Sequence, residues 1–199
     1  MATPLYDPPS GGVDILLAFP GVKHLELEIG PGRGMYVLGR ARQRPAWGFL
    51  AIEVRGRFAR LIAERAKKRG LENVKVMNGD ARQILPRIGP SSRLDRVSLH
   101  FPDPWWKKRH MKRAVFTPRT LEEIVRLLGP GGELFVQTDV FPRAVSILRI
   151  LTDQQDIENS AIDGGLLDKP VDDCPSNREQ ACMKAGLPVF RMLFRKKSQ

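Results

Sequence analysis

Cysteine is scarce in this sequence, with only Cys174 and Cys182 among 199 residues. Two isolated thiols exclude a disulfide-stapled scaffold, and without a neighbouring histidine they do not form a zinc motif. We therefore expect two reduced thiols and no metal site. Acidic residues are in deficit as well, because 22 Asp and Glu face 33 Lys and Arg and leave a formal net charge of +11. That balance favours a polyanionic partner, nucleic acid before a membrane surface.

Long hydrophobic runs are also missing. The sequence has no uninterrupted apolar stretch of about 18 residues, the length that a membrane span needs. The short run Ile15–Phe19 has neither a basic lead-in nor a cleavage site. We expect a soluble, cytoplasmic protein without membrane association. Its length fits one domain over residues 1–199, with residues 1–20 as a loosely ordered lead-in.

Strand and helix patterns alternate along the chain. Apolar runs predict strands at 24–29, 47–52, 74–77, 94–101, 133–137 and 188–194. Helical spacing and capping residues predict helices at 34–43, 55–69, from 118 onward and at 141–151, with a short one before Pro86. Residues 129–132 are predicted to form a turn, and residues 163–177 a long loop. Repeated β-α units predict a mostly parallel sheet whose ligands gather at the carboxyl ends of its strands.

A glycine loop follows the first of these strands, in the sequence Glu28-Ile-Gly-Pro-Gly-Arg-Gly34. Glycine lets the backbone approach a ligand closely, which makes Gly30 and Gly32 candidate binding residues. A dinucleotide fingerprint places two residues between its second and third glycines, whereas one residue separates Gly32 from Gly34. The carboxylate of Glu28 suits an ammonium or sulfonium ligand better than a pyrophosphate. A tight turn without a ligand is the other interpretation.

Polar residues also end the next two strands. Glu53 follows the second strand, where a carboxylate can accept both hydroxyls of a ribose. Asn78 to Ala81 follow the third strand, where an adenine would lie, and Asp80 could accept a hydrogen bond from an exocyclic amine. Asp80 is equally suited to cap the helix that follows. These positions indicate a nucleoside without identifying it.

The segment Leu99–Arg113 joins an apolar strand to one acid, two tryptophans and a dense cationic cluster. Asp103 stands between two prolines at the mouth of the predicted sheet, a suitable place to hold a nucleobase. Cations interleaved with aromatic residues supply both phosphate contacts and stacking surfaces for RNA. The alternatives are a solvated charged loop and tryptophans that belong to the core.

Together these segments resemble the bacterial tRNA (guanine-N7)-methyltransferase family. The resemblance is carried by the glycine loop, Glu53, Asn78–Ala81, the Pro-Asp-Pro-Trp motif with its Lys-Lys-Arg-His tail, Thr138-Asp139 and Ser176–Glu179. It implies a class I S-adenosylmethionine-dependent methyltransferase fold, Rossmann-like, with a mostly parallel seven-stranded sheet, an antiparallel last strand and helices on both faces. It further implies methyl transfer from S-adenosyl-L-methionine to N7 of a guanosine in the variable loop of tRNA, at position 46.

The resemblance also assigns roles to single residues. Asp103 would be the catalytic residue. The cofactor would be bound by Glu28, Gly30, Gly32, Glu53, Asn78, Asp80, Ala81 and Asp103. The substrate would be held by Lys107, Asp139, Ser176 and Glu179. The RNA backbone would be contacted by Lys108, Arg109, His110, Lys112 and Arg113.

Three residues depart from the family pattern. Trp106 stands where a proline is usual, Pro31 stiffens the glycine loop, and Ser176 replaces a threonine but keeps its hydroxyl. Two other functions stay open: methyl transfer to another RNA or a small molecule, and RNA binding without catalysis. The glycine spacing disfavours a nicotinamide dehydrogenase. Both a monomer and a homodimer are compatible with the sequence.

Overall fold

A computed structural model of the chain describes residues 5–6, 12–102, 114–161 and 163–198. The strands within these ranges are β1 (Val13–Asp14), β2 (His24–Ile29), β3 (Trp47–Glu53), β4 (Val74–Asn78), β5 (Ile88–Gly89), β6 (Leu94–His100), β7 (Leu128–Thr138), β8 (Ile157–Asn159) and β9 (Phe190–Lys196). The helices are α1 (Ile15–Ala18), α2 (Met35–Gln43), α3 (Gly56–Lys68), α4 (Ala81–Ile84), α5 (Pro118–Leu127), α6 (Phe141–Thr152) and α7 (Asn177–Ala185). None of these helices is long and apolar enough to cross a membrane.

The main sheet of the described residues has seven strands in the order β4-β3-β2-β6-β7-β9-β8. Strands β4, β3, β2, β6 and β7 pair in parallel, while β9 is antiparallel to both of its neighbours. The chain moves outward from β2 to β4 and then returns to place β6 on the other side of β2. This reversal puts a topological switch point between β2 and β6, where ligands of doubly wound sheets bind.

Helices cover both faces of the sheet, as the sequence predicts. One face packs apolar side chains of β2, β6 and β7 against α5 and α6. On the other face α2 and α3 cover β3 and β4 with a smaller apolar cluster. Strand alternation sends Leu25 and Leu27 to the first face and Glu26 and Glu28 to the second, where both glutamates are buried.

The buried acidic face of β2 belongs to a network of paired charges with residues of α2, β6 and the segment before α7. Glu26 pairs with Arg40 at 2.7 Å, and Asp172 pairs with Arg40 at 3.0 Å and with Arg96 at 2.7 Å. The hydroxyl of Tyr36 lies 2.8 Å from a Glu26 oxygen and 3.0 Å from an Asp172 oxygen and can donate its one hydrogen to either carboxylate. Buried charges are tolerated when paired in this way. The cluster fastens an otherwise irregular segment to the sheet.

The prediction that residues 1–20 are a loosely ordered lead-in is wrong for residues 13–20. Val13 pairs in parallel with Ile88, and Asp14 caps α1 by accepting the amides of the next turn. Val13, Ile15 and Phe19 are buried in the core. The apolar run that follows the Asp14 cap therefore folds against the sheet instead of remaining loosely ordered. Residues 1–4 and 7–11 lie outside the described residues.

Further segments also differ from the expectation. The predicted turn at 129–132 is a bulge inside β7, because Leu94 pairs with Leu128 but Arg96 pairs with Glu133. Three extra residues of β7 are accommodated there, with Gly131 at φ +72°. Strands β5 and β8 and helix α7 were not predicted.

Candidate functional site

A cavity of about 460 Å³ opens at the carboxyl ends of β2, β3, β4 and β6. The glycine loop forms one wall, with Gly30 at φ +72° and Gly32 at φ +58°. A Cβ atom on either glycine would meet no atom within 4 Å. Glycine is thus required here by backbone conformation, and the loop leaves open space that a ligand can occupy. The predicted binding residues Glu53, Asp80 and Ala81 line the same cavity.

Glu53 is buried and locked in position by two backbone amides. Its Oε2 accepts the amide of Gly32 at 2.9 Å, and its Oε1 accepts the amide of Arg55 at 2.9 Å. A carboxylate oxygen accepts more than one hydrogen bond, so both oxygens retain capacity for ligand hydroxyls. Asn78 lies behind this residue and donates to the carbonyl of Glu53 at 2.8 Å. Asn78 therefore joins the end of β4 to the end of β3 and does not line the cavity.

Asp80 caps α4, accepting the amide of Arg82 at 2.9 Å. Hydrogen bonds from the Arg82 guanidinium hold the pKa of the Asp80 carboxyl below its usual value. The helix-cap interpretation is thus confirmed, and the side chain still faces the cavity. Ala81 is buried and supplies a small apolar floor.

Glu28 lies deeper, below the glycine loop. Its Oε2 accepts the amide of Val37 at 3.1 Å. Complete burial raises the pKa of the Glu28 carboxyl well above its usual range, and the nearby charges of Glu26 and Glu53 add to the effect. A cationic ligand would reverse this shift, because a positive charge favours the ionised form. Glu28 is thus suited to a ligand with an ammonium or sulfonium group.

A second cavity, of about 530 Å³, adjoins the first. It is lined by Glu28 and by the predicted substrate residues Asp139 and Ser176. Asp139 pairs with Arg178, and Ser176 caps α7 by accepting the amide of Glu179 at 3.2 Å. The two cavities share a wall formed by Gly30, Gly32, Arg55, His100, Phe101 and Pro102.

The backbone at the shared wall is strained. Phe101 adopts φ +52°, a left-handed conformation that non-glycine residues rarely take. Its amide donates to the carbonyl of Gln137 at 2.7 Å, which holds the strained residue in place. Strain of this kind is concentrated at functional sites. It turns the chain out of β6 immediately before Pro102 and the Asp103 motif.

Glu179 does not reach the lining of either cavity. It is buried behind the second cavity, with Oε1 accepting from Arg191 at 2.8 Å and Oε2 accepting from Gln137 at 2.9 Å. It also completes a capping box with Ser176 at the start of α7. This geometry gives Glu179 a supporting position, one layer from the space a substrate would fill.

Sequence reasoning missed His100, which borders both cavities. Its imidazole packs against the ring of Tyr36 at a tilt of 50°, with ring centroids 4.1 Å apart. Burial lowers the pKa of His100 to about 3, so the ring is neutral at neutral pH. A signal was present in the sequence, because Arg96, Ser98 and His100 alternate with aliphatic residues along a buried strand. Arg33 and Arg55 were also missed and line the second cavity.

The remaining predicted site residues lie outside the described residues: Asp103, Lys107, Lys108, Arg109, His110, Lys112 and Arg113. Their assigned roles stay predictions. Pro102 and Ala114 are the described residues on either side of them. Pro102 borders both cavities, so the segment leaves the sheet at their common wall.

The first cavity fits S-adenosylmethionine. Gly30 and Gly32 leave a cradle that a Cβ would begin to fill, and Glu53 presents a preset carboxylate for ribose hydroxyls. Glu28 lies beneath the same glycine loop, where it lines the adjoining cavity and can supply a negative charge to the cationic end of this ligand. The cavity volume lies in the range of small-molecule sites, about 300–1,000 Å³.

Comparison with known proteins identifies the relatives of the chain. A family model described as "Putative methyltransferase" matches residues 23–192. A tRNA (guanine-N(7)-)-methyltransferase of Myxococcus xanthus is 41% identical over 167 residues, which cover 84% of this chain and 81% of that one. A second, from Anaeromyxobacter dehalogenans, is 39% identical over 169 residues, covering 84% and 83%.

Solved structures support the fold. The antibiotic-resistance methyltransferase Kmr has a TM-score of 0.62 at 17% identity and covers 93% of this chain and 92% of its own. At that identity the likeness concerns the fold alone, and it confirms the predicted class I S-adenosylmethionine-dependent methyltransferase fold. From its sequence relatives, the chain belongs to the tRNA (guanine-N7)-methyltransferase family.

Proposed function

We propose that this protein transfers the methyl group of S-adenosylmethionine to N7 of a guanosine in tRNA, at position 46 of the variable loop. The observation that carries the proposal is the pair of adjoining cavities on one wall, directly before the Pro-Asp-Pro-Trp motif. One cavity fits the methyl donor, and the other is lined by polar residues suited to a base. The relatives are named for methylation of tRNA guanine at N7, and we propose the same substrate for this protein. The protein would then work in the cytoplasm, where tRNA is modified.

The chemistry requires positioning more than proton transfer. S-adenosylmethionine, when bound, supplies an electrophilic methyl group. Guanine N7 already carries an in-plane lone pair, so the protein needs no strong general base. Glu53 lines the donor cavity, and Asp139 and Ser176 line the acceptor cavity. Glu28 lines the acceptor cavity beneath the shared glycine loop, where it would face the cationic end of the donor. Holding two reactants in place can contribute up to ~7–11 kcal/mol in favourable cases.

A methyl-transfer assay tests the proposal. The protein is incubated with labelled S-adenosylmethionine and, in separate reactions, bulk tRNA, ribosomal RNA and free guanosine. We expect label in tRNA alone, with 7-methylguanosine at position 46 when the product is mapped. Label in ribosomal RNA or in the free nucleoside would favour the alternative substrates. Binding of tRNA without any transfer would favour a non-catalytic RNA-binding protein.

Surface charge supports an RNA partner and suggests where its backbone lies. Exposed cations follow α3 and its ends, at one edge of the sheet: Arg55, Arg57, Arg60, Lys67, Lys68 and Arg69. Exposed acids gather near β8, at the opposite edge: Asp153, Asp156, Glu158, Asp163 and Asp168. Arg55 also borders both cavities. We propose that the tRNA body extends from the cavities along α3.

The double substitution of Arg57 and Arg60 by alanine is expected to weaken tRNA binding and flatten its salt dependence. The slope of log K against log salt becomes shallower by roughly 0.9 for each phosphate that the protein no longer neutralises. Filter binding at several salt concentrations measures both effects. Arg149→Ala with Lys169→Ala removes the same charge near the acidic edge and should leave the slope unchanged. Equal slopes in both double variants would contradict the placement along α3.

A further inference from the structure

A chain of buried hydrogen bonds runs from β9 to His100. Arg191 donates to Glu179 at 2.8 Å, and Glu179 accepts the side-chain amide of Gln137 at 2.9 Å. The same amide nitrogen lies 2.8 Å from Nδ1 of His100. All four residues are buried. These hydrogen bonds therefore connect the Arg191–Glu179 ion pair with the wall between the two cavities.

This series of hydrogen bonds determines which nitrogen of His100 carries the proton. The carboxylate of Glu179 only accepts, so the NH₂ group of Gln137 must face it, and the second hydrogen of that group points at His100. Nδ1 of the neutral imidazole consequently accepts, and Nε2 carries the hydrogen. The tautomer is thus fixed by an ion pair two hydrogen bonds away.

The fixed donor lacks an acceptor. Nε2 of His100 is fully buried and has no hydrogen-bond partner among the described residues. The carboxylate oxygen Oε1 of Glu28 lies 3.9 Å from Nε2, just beyond hydrogen-bonding distance. A buried donor without a partner destabilises the protein, because it has lost its hydrogen bond to water. Such a group in a native site calls for an explanation.

We infer that His100 is a positioning residue for Glu28, donating its Nε2 hydrogen to the Glu28 carboxylate when the cationic end of a bound ligand lies beside Glu28 at the wall that the two cavities share. Burial favours the protonated form of Glu28 in the absence of a cation. An ammonium or sulfonium ligand favours the ionised form, which needs a second donor besides the amide of Val37. His100 is the buried donor next to it. The inference deepens the proposed function, because it rests on a cationic methyl donor whose charged end reaches Glu28.

Calorimetry with S-adenosylmethionine and no RNA tests the inference. His100→Phe keeps a ring against Tyr36 but removes the donor, and we expect its Kd to rise about tenfold, the loss of one hydrogen bond to a charged group. His100→Gln retains both an acceptor for Gln137 and a donor, and should recover most of the affinity. His24→Phe, at the exposed start of β2, is the matched control and should bind as the parent does.

A double-mutant cycle separates positioning from packing. If His100 acts through Glu28, His100→Phe should have little further effect in a Glu28→Gln background. Equal losses of affinity in both backgrounds would overturn the inference. A folded His100→Phe protein that binds S-adenosylmethionine within twofold of the parent would also overturn it. So would a His100→Gln protein that binds as weakly as His100→Phe. Circular dichroism establishes folding. A parent that binds the donor but methylates no tRNA would overturn the proposed substrate alone.

Discussion

Replacing Asp172 by alanine is expected to lower the free energy of unfolding by about 3 kcal/mol, a typical cost of removing one member of a buried ion pair. Asp172 pairs with both Arg40 and Arg96, and it accepts the hydroxyl of Tyr36. Breaking a buried ion pair costs about 3–5 kcal/mol. We expect the lower value, because Arg40 still pairs with Glu26 and Arg96 still pairs with Glu133 on β7.

Urea unfolding of Asp172→Ala measures this effect. Asp168→Ala lies in the same segment but is exposed, so its unfolding free energy should stay within about 0.5 kcal/mol of the parent. Asp172→Asn keeps the shape and isolates the charge. We also expect Asp172→Ala to reduce methyl transfer, because the segment it anchors leads directly to Ser176 in the second cavity. A loss below about 1 kcal/mol would show that the cluster tolerates the missing carboxylate.

Replacing Asp103 by alanine is expected to reduce methyl transfer by about 10²–10³-fold, the effect of removing one group that stabilises a developing charge. A purine gains positive charge as its N7 is methylated. A fixed carboxylate therefore stabilises the transition state more than the ground state. Binding of tRNA depends mainly on phosphate contacts and should change little.

Single-turnover transfer and filter binding separate the two quantities for Asp103→Ala. Asp103→Asn should lose nearly as much activity, because the charge and not the hydrogen-bonding shape is required. Asp156→Ala removes an exposed acid near β8 and should leave both quantities unchanged. Transfer by Asp103→Ala at nearly the parent rate would rule out this role for the carboxylate.

The residues at strand ends were the predictable part of the site. Glu53 and Asp80 both line the first cavity, because parallel strands bring their carboxyl ends together at one edge of the sheet. Helix α7 was not predicted although Ser176 and Glu179 stand at the spacing of a capping box. Only Glu179 and Cys182 of this helix are buried, so its sequence has no apolar periodicity that would predict a helix. Polar contacts hold it in place instead.

Other features could not be predicted from one sequence. Asp172 lies in a segment without periodicity, and its importance arises from Arg40 and Arg96, which are distant in the chain. The role of His100 depends on the orientation of the Gln137 side chain on a neighbouring strand. Local patterns contain no information about such long-range pairs.

The buried polar face of β2 also selects one alignment of the parallel strands. Glu26 lies opposite Arg96 and Glu28 opposite Ser98 on the neighbouring strand. A slip of β2 by one residue would turn both carboxylates into the layer now filled by Leu25 and Leu27. The cluster that forms that layer consists of apolar side chains, which cannot pair with a carboxylate. Misaligned sheets are therefore penalised by unpaired charge, and the folding chain is directed to the one register that brings Glu28 beneath the glycine loop.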